Sequence, residues 1–219
     1  MKNNLKGIIF DLDGILFDSE KCQWKGWQYP LREFGIELTK EMYLKYAGKS
    51  WKYIDPEMIK DFNLPLEEGQ LVAKKKPLIE KWFSEKPMPL MPFAKEVVEF
   101  FVNNPQFKVA LCSGGDREEI ITKLEMNDFL KYFPIIAAGD DVKESKPAPD
   151  IYLLAAKLLK LDPENCLALE DTQYGLQAAK AAGAHCFAIP NEYSEKQDFS
   201  SADKVLSSLN DVMNFFKEK

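Results

Sequence analysis

A short non-polar run at residues 7–10, Gly7-Ile8-Ile9-Phe10, ends abruptly in Asp11-Leu12-Asp13-Gly14. Such a run reads as a buried strand, and side chains two apart on a strand point the same way. Asp11 and Asp13 therefore emerge together at its carboxyl end, which is where open α/β sheets bind ligands. Two carboxylates held side by side repel and lose hydration, so a cation or a shared proton has to accompany them. A turn or a helix cap favours the same residue types, and the motif alone leaves both readings open.

The rest of the chain supplies the setting. Further strand-type runs lie at residues 108–111, 135–138, 166–169, 185–189 and 204–206. Helical patterns separate most of them. Ile151, Leu154, Ala155, Leu158 and Leu159 share one helix face, with Pro149 and Asp150 suited to its first turn. Leu176, Ala178, Ala179 and Ala182 form a small-residue face that Gly183 is placed to terminate. Strands alternating with helices predict a Rossmann-like parallel sheet wound by right-handed crossovers. The pattern breaks between Ser19 and Lys86, a stretch rich in Trp, Tyr, Lys and Glu that reads as several helices. It ends in Lys86-Pro87-Met88-Pro89-Leu90-Met91-Pro92, whose prolines suit neither a helix interior nor a central strand. The expected fold class is α/β: a parallel-sheet core from residues 1–18 and 89–219, interrupted by a helical cap domain at 19–88.

With 219 residues, 46% of them hydrophobic, the chain can bury one substantial core and a smaller satellite. Its 35 acidic against 29 basic residues give a net charge of −6, so it has no general attraction for nucleic acid or anionic lipid. A site for an anionic substrate must then be built locally, from a metal ion, backbone amides and a few lysines. Cys22, Cys112, Cys166 and Cys186 show no metal-ligand spacing and read as reduced thiols packed as small hydrophobes. The first apolar run is too short for a secretory signal, and no stretch approaches a membrane span. The expectation is a cytoplasmic monomer that binds neither nucleic acid nor membrane.

Three more segments place polar chemistry at strand ends. Run 108–111 leads into Cys112-Ser113-Gly114-Gly115-Asp116, whose glycines let backbone amides approach a phosphate while Ser113 adds a hydroxyl. Ser145-Lys146-Pro147-Ala148-Pro149-Asp150 fixes Lys146 ahead of two prolines, where its ammonium could neutralise the carboxylates or a bound phosphate. Run 166–169 ends in Glu170-Asp171, which beside Asp11 would complete an oxygen-ligand set for magnesium. Each alone has an ordinary reading as a turn, a solvated lysine or a helix cap.

Taken in this order, the four segments make the chain resemble the haloacid dehalogenase superfamily. The resemblance is to members with a helical cap after the first motif, the β-phosphoglucomutase-like and sugar-phosphate phosphatase group. DLDGILFDS, LCSGG, SKPAPDIY and LEDTQYGLQAAKAAGA carry it, over nearly the whole chain. The resemblance implies roles. Asp11 is the nucleophile and a magnesium ligand; Asp13 is the general acid and base, starting protonated, with its main-chain carbonyl on the metal. Ser113 and the Gly114 amide hold the phosphoryl group, and Lys146 stabilises the nucleophile. Asp171 is a magnesium ligand, with Glu170 as a further ligand or its support. Chemistry of this kind asks the protein mainly for positioning and charge neutralisation, and it passes through an aspartyl phosphate.

An acid at Asp13 favours phosphate esters, since dehalogenase and phosphonatase members generally lack one there. Gln23 stands where mutases of the group, and many of its phosphatases, carry a histidine. The departure weakens the mutase reading and favours a phosphatase for a small phosphorylated metabolite, a sugar phosphate, over a phosphomutase. The lone His185 reads as a core residue of a late strand. Tyr46-Ala47-Gly48-Lys49-Ser50-Trp51-Lys52 resembles the family's specificity loop and would bring Lys49, Ser50 and Lys52 to the substrate. Lys74-Lys75-Lys76 offers one more basic group, although three adjacent lysines splay around a helix. Pro92-Phe93 replaces the proline-glycine pair common at the cap linker. A phospho-acceptor signalling domain fits less well, because its acceptor lies on a later strand and it has no helical insertion.

Overall fold

The structure is a computed structural model and describes residues 2–217. In chain order its main elements are β1 (Gly7–Asp11), α1 (Glu20–Arg32), α2 (Lys40–Tyr43), α3 (Trp51–Asp61), α4 (Gln70–Glu85), α5 (Ala94–Val102), β2 (Lys108–Ser113), α6 (Arg117–Met126) and β3 (Ile136–Ala138). They continue with α7 (Asp150–Leu159), β4 (Cys166–Glu170), α8 (Gln173–Ala181), β5 (His185–Ala188), β6 (Lys204–Val205) and α9 (Leu209–Lys217). The strands form one six-stranded sheet in the order β3-β2-β1-β4-β5-β6, every neighbouring pair parallel.

Each expected run is a strand, but three of them run further than their apolar residues. β1 extends to Asp11, β2 to Ser113 and β4 to Glu170, so each of these polar residues closes its own strand. The strand order reverses at β1, between β2 and β4, and α/β sheets open a crevice at such a switch point.

Both faces of the sheet are covered. Ile8, Phe10, Leu111, Leu167, Leu169 and Phe187 belong to a cluster with residues of α5 and α9, such as Val98, Phe101 and Val212. The opposite face offers Ile9, Ala110, Cys112, Ala168 and Cys186 to α7 and α8. Alternation along β1 and β4 assigns successive residues to the two clusters, as a strand buried on both sides requires. Cys112, Cys166 and Cys186 are buried free thiols and Cys22 is half-buried. His185 departs from the core reading: it is half-buried at the start of β5, with Nδ1 3.3 Å from Asp203 Oδ1.

Between β1 and α5 the chain is helical, as expected. It builds its own cluster from Trp27, Leu31, Tyr43, Tyr46, Ile54, Met58 and Leu71. Thr39 accepts the Met42 amide at 3.2 Å to start α2. α4 begins after Gly69, which has φ +86° and no side chain to cap with; buried Asp55 of α3 instead accepts the Gly69 and Val72 amides, both at 2.6 Å. The two linkers to the sheet run side by side, joined by bonds from Asp18 N to Pro89 O (2.8 Å) and Met91 N to Leu16 O (2.9 Å). Phe93 adopts the left-handed φ of +65° that a glycine would take freely. Among the described residues no helix is long and apolar enough to cross a membrane.

Candidate active site

A cavity of about 380 Å³ lies between the carboxyl ends of β1, β2 and β4 and the inner faces of α1, α3 and α4. Asp11, Asp13, Ser113, Gly114, Lys146 and Asp171 line its floor; Gln23, Trp27, Lys49, Ser50, Ile54 and Lys75 line the side formed by the insertion. Asp11 ends β1, whereas Asp13 lies past the strand in an isolated bridge with Phe17, before the turn at Gly14 (φ +86°). The strand alternation expected to align the two aspartates therefore stops at Asp11, although both reach the cavity.

Lys146 is buried and bridges two carboxylates, with Nζ 2.5 Å from Asp11 Oδ1 and 2.5 Å from Glu170 Oε1. Tyr152 of α7 donates to the same Glu170 oxygen at 2.5 Å. Asp171 accepts from Asn191 Nδ2 at 2.7 Å through Oδ2, while its Oδ1 is buried without a hydrogen-bond partner. Burial pushes the Asp11 carboxyl well above the usual carboxylate range; the Lys146 ammonium opposes the rise and Glu170 adds to it. Burial raises Asp171 likewise, reinforced by Asp11 and Glu170. Burial alone would lower Lys146, but Asp11 and Glu170 hold its ammonium well above the usual lysine value.

One ammonium cannot neutralise three carboxylates in a space from which water is excluded. Asp11, Glu170 and Asp171 offer ligand oxygens within 4.8 Å of one another. The donors are all oxygens, one is an orphaned buried oxygen, and the packing is tight: a Cβ on Gly14 would lie 2.0 Å from Asp171 Oδ2. That combination fits a hard divalent cation such as magnesium and not zinc.

Asp13 is different. Burial acts to raise its carboxyl, but the Lys123 charge and hydrogen bond, with the Ser19 hydroxyl, hold it below the usual range. Ser19 Oγ donates at 2.5 Å and Lys123 Nζ at 2.8 Å, both to Oδ1. These contacts favour the carboxylate form, whereas the sequence reading expects Asp13 to start protonated.

A sequence model of haloacid dehalogenase-like hydrolases matches residues 8–189, which include all four motif segments. The chain belongs to this family. Its similarity to other haloacid dehalogenase-like proteins runs end to end. It is 28% identical over 221 residues to the phosphorylated carbohydrates phosphatase of Thermotoga maritima, covering 98% of this chain and 99% of that one. It is 28% identical to the fructose-1-phosphate phosphatase YqaB of Escherichia coli, over 84% of this chain and 95% of the relative. The crystal structure of CbbY from Rhodobacter sphaeroides in complex with phosphate superposes with a TM-score of 0.82 at 25% identity, covering 95% and 96% of the two chains.

The insertion distributes its lysines differently from the expectation for this haloacid dehalogenase-like chain. Lys49 lines the cavity, paired with Glu57 at 2.5 Å, and Ser50 lines it while capping α3. Lys52 is exposed and lies outside the cavity, because α3 starts at Trp51 and turns residue 52 to solvent. Of the three adjacent lysines, Lys74 pairs with Glu33 and Lys76 with Asp116, both exposed. Lys75 alone is buried, over the Trp27 ring at 4.2 Å and donating to Gln23 Oε1 at 2.5 Å.

Several residues escaped the sequence reading. Lys123, Ser19 and Asn191 contact its acidic residues, and Tyr152 holds Glu170. Two carried a readable signal. Lys123 sits on the apolar face of α6, three residues after Ile120 and beside Leu124, and Asn191 follows the end of β5 as the other polar groups follow theirs.

Proposed function

We propose that the protein is a magnesium-dependent phosphatase of small phosphorylated metabolites, sugar phosphates foremost, acting through phosphorylation of Asp11. The observation that carries this reading is the buried Asp11 carboxylate at the end of β1 on the cavity floor, bridged by Lys146 to Glu170 and clustered with Glu170 and Asp171. The named relatives from Thermotoga maritima and Escherichia coli, phosphatases of phosphorylated carbohydrates and of fructose 1-phosphate, support the substrate class.

In this scheme Asp11, Asp171 and the Asp13 carbonyl hold the metal, with Glu170 behind them, and the ion supplies charge neutralisation when bound. Ser113 and the Gly114 amide hold the phosphoryl oxygens, and Lys146 favours ionisation of Asp11 and holds it in place. Asp11 attacks phosphorus; Asp13, having first gained a proton, gives it to the leaving alcohol. Asp13 then removes a proton from the water that attacks the phosphorylated Asp11. The Lys123 and Ser19 contacts, which hold the Asp13 carboxyl below its usual range, suit this second half. Residues 19–88 act as a cap domain over a core of 1–18 and 89–219, closing on the substrate about the paired linkers and excluding bulk water.

Gln23, a neutral amide whose oxygen is occupied by Lys75, supports hydrolysis over phosphomutation. The test is turnover of sugar phosphates by wild type and Asp11→Asn, with and without EDTA. Wild type should release stoichiometric phosphate, stop with EDTA and recover with magnesium. Asp11→Asn should lose on the order of 10⁴-fold or more while staying folded. Comparable rates in the variant, or full activity without divalent metal, would overturn the scheme.

A further inference from the structure

Lys123 is the least exposed ammonium near the cavity, with its side chain 1% accessible, and the scheme above gives it no task. It reaches up from α6 beneath the site. Its Nζ makes bonds of 2.8 Å to Asp13 Oδ1 and 2.7 Å to Glu119 Oε1 and stands 4.3 Å from the centroid of the Phe83 ring, near the end of α4. A lysine ammonium has three donors, and here it is held from three sides. Ser19, the residue just before α1, donates to the same Asp13 oxygen. Both tethers therefore grip Oδ1. The Asp13 side chain remains a quarter exposed and lines the cavity, leaving Oδ2 as the oxygen free to act on water or on a leaving group.

We propose that Lys123 is the positioning residue for Asp13, clamping Oδ1 so that Oδ2 stays aimed at the phosphoryl site. The inference rests on the assignment of Asp13 as the proton-transfer group. A carboxylate on a free rotor samples several orientations, and losing one of them to misalignment reduces proton transfer sharply. The clamp acts in the step where Asp13 Oδ2 takes a proton from water. In that step the water oxygen bonds to phosphorus, the bond from phosphorus to Asp11 breaks with its electron pair returning to the Asp11 carboxylate, and inorganic phosphate leaves. The backing of the ammonium by Phe83 and the second tether at Ser19 place both supports of the clamp at the two ends of the helical insertion.

The experiment is rapid-mix kinetics with p-nitrophenyl phosphate, a leaving group that needs no proton, on the magnesium-loaded full chain. Lys123→Met should transfer the first phosphoryl group at near wild-type rate and stall at hydrolysis. The result would be a burst approaching one p-nitrophenol per enzyme, then steady turnover reduced about 10–100-fold. Lys123→Arg should recover part of the steady rate. Asp13→Asn is the reference and should show a burst of its own; no burst there would remove the Asp13 assignment, whatever Lys123 does. If Asp13→Asn does show one, the double variant should be no slower than Asp13→Asn alone. A merely structural role for Lys123 predicts a smaller active fraction with burst and steady rate falling together, or an additive loss in the double variant, and either result overturns the proposal. Should Lys123→Met give no folded protein, Lys123→Gln takes its place with the same two outcomes.

Discussion

The sheet edge and the helical insertion both bring ammonium groups to the cavity, and they manage charge in opposite ways. At the sheet edge one buried lysine serves two carboxylates, and a third is left with an unsatisfied oxygen. In the insertion, Lys49 pairs with Glu57, Lys74 with Glu33 and Lys76 with Asp116, while the buried Lys75 faces an amide and an indole ring. The sheet edge is short of positive charge, whereas these lysines of the insertion are mostly paired.

The largest expected effect tests that shortage. Lys146→Met leaves Asp11 and Glu170 buried without their shared partner, and breaking such a pair from one side costs about 3–5 kcal/mol. Urea unfolding in metal-free buffer at pH 7 should register that loss, and magnesium should restore part of it. A variant as stable as wild type without metal would mean that the carboxylates do not depend on the lysine.

Lys75 sharpens the other side. Burial lowers its ammonium to about 8, with Glu119, Glu20 and Asp13 opposing the shift and Lys123 assisting it. In the unfolded chain a lysine titrates near 10.4. Between these two values the unfolded state binds more protons, so stability should rise with pH, by roughly 3 kcal/mol across the window. In Lys75→Met that rise should be missing. Parallel stability curves for the two proteins from pH 7.5 to 10.5 would show that Lys75 is not desolvated.

The smallest effect separates two neighbours. Lys49→Ala removes a cavity-lining charge that is already shared with Glu57, so KM for a sugar phosphate should rise about fivefold, equivalent to ~1 kcal/mol of partly screened attraction. Lys52→Ala should stay within about twofold of wild type on every substrate. Equal losses in the two would contradict the placement of residue 52 outside the cavity.

What could be read in the sequence follows the same division. A strand end fixes where its last residue goes: once residues 7–10, 108–111 and 166–169 are recognised as buried strands, Asp11, Ser113 and Glu170 have one place to be. Lys146 was legible because its neighbours are prolines. On a helix the position of a charge depends on about 100° of rotation per residue, so one step separates the buried Lys75 from the exposed Lys74 and Lys76. The same ambiguity moved Lys52 outward and hid Lys123. The contact that holds the Asp13 carboxyl below its usual range was not legible at all, because Lys123 lies 110 positions away in the chain.

The central place of β1 has a consequence for how the enzyme comes into being. As the chain is synthesised, β1 is made first among the strands, yet its hydrogen-bonding neighbours are β2 and β4. Asp11 meets its lysine only after 135 more residues have been added. The early strand must therefore wait with bare edges, a state open to mispairing and to capture by chaperones. Contacts this distant also make for slow closure of the sheet. When β4 pairs with β1, it brings the acidic pair to the first aspartate, and the lysine made shortly before it bridges Asp11 and Glu170. A chain that stops short of the end of β4 thus lacks two of the three clustered carboxylates, and the site exists only once the sheet is nearly finished.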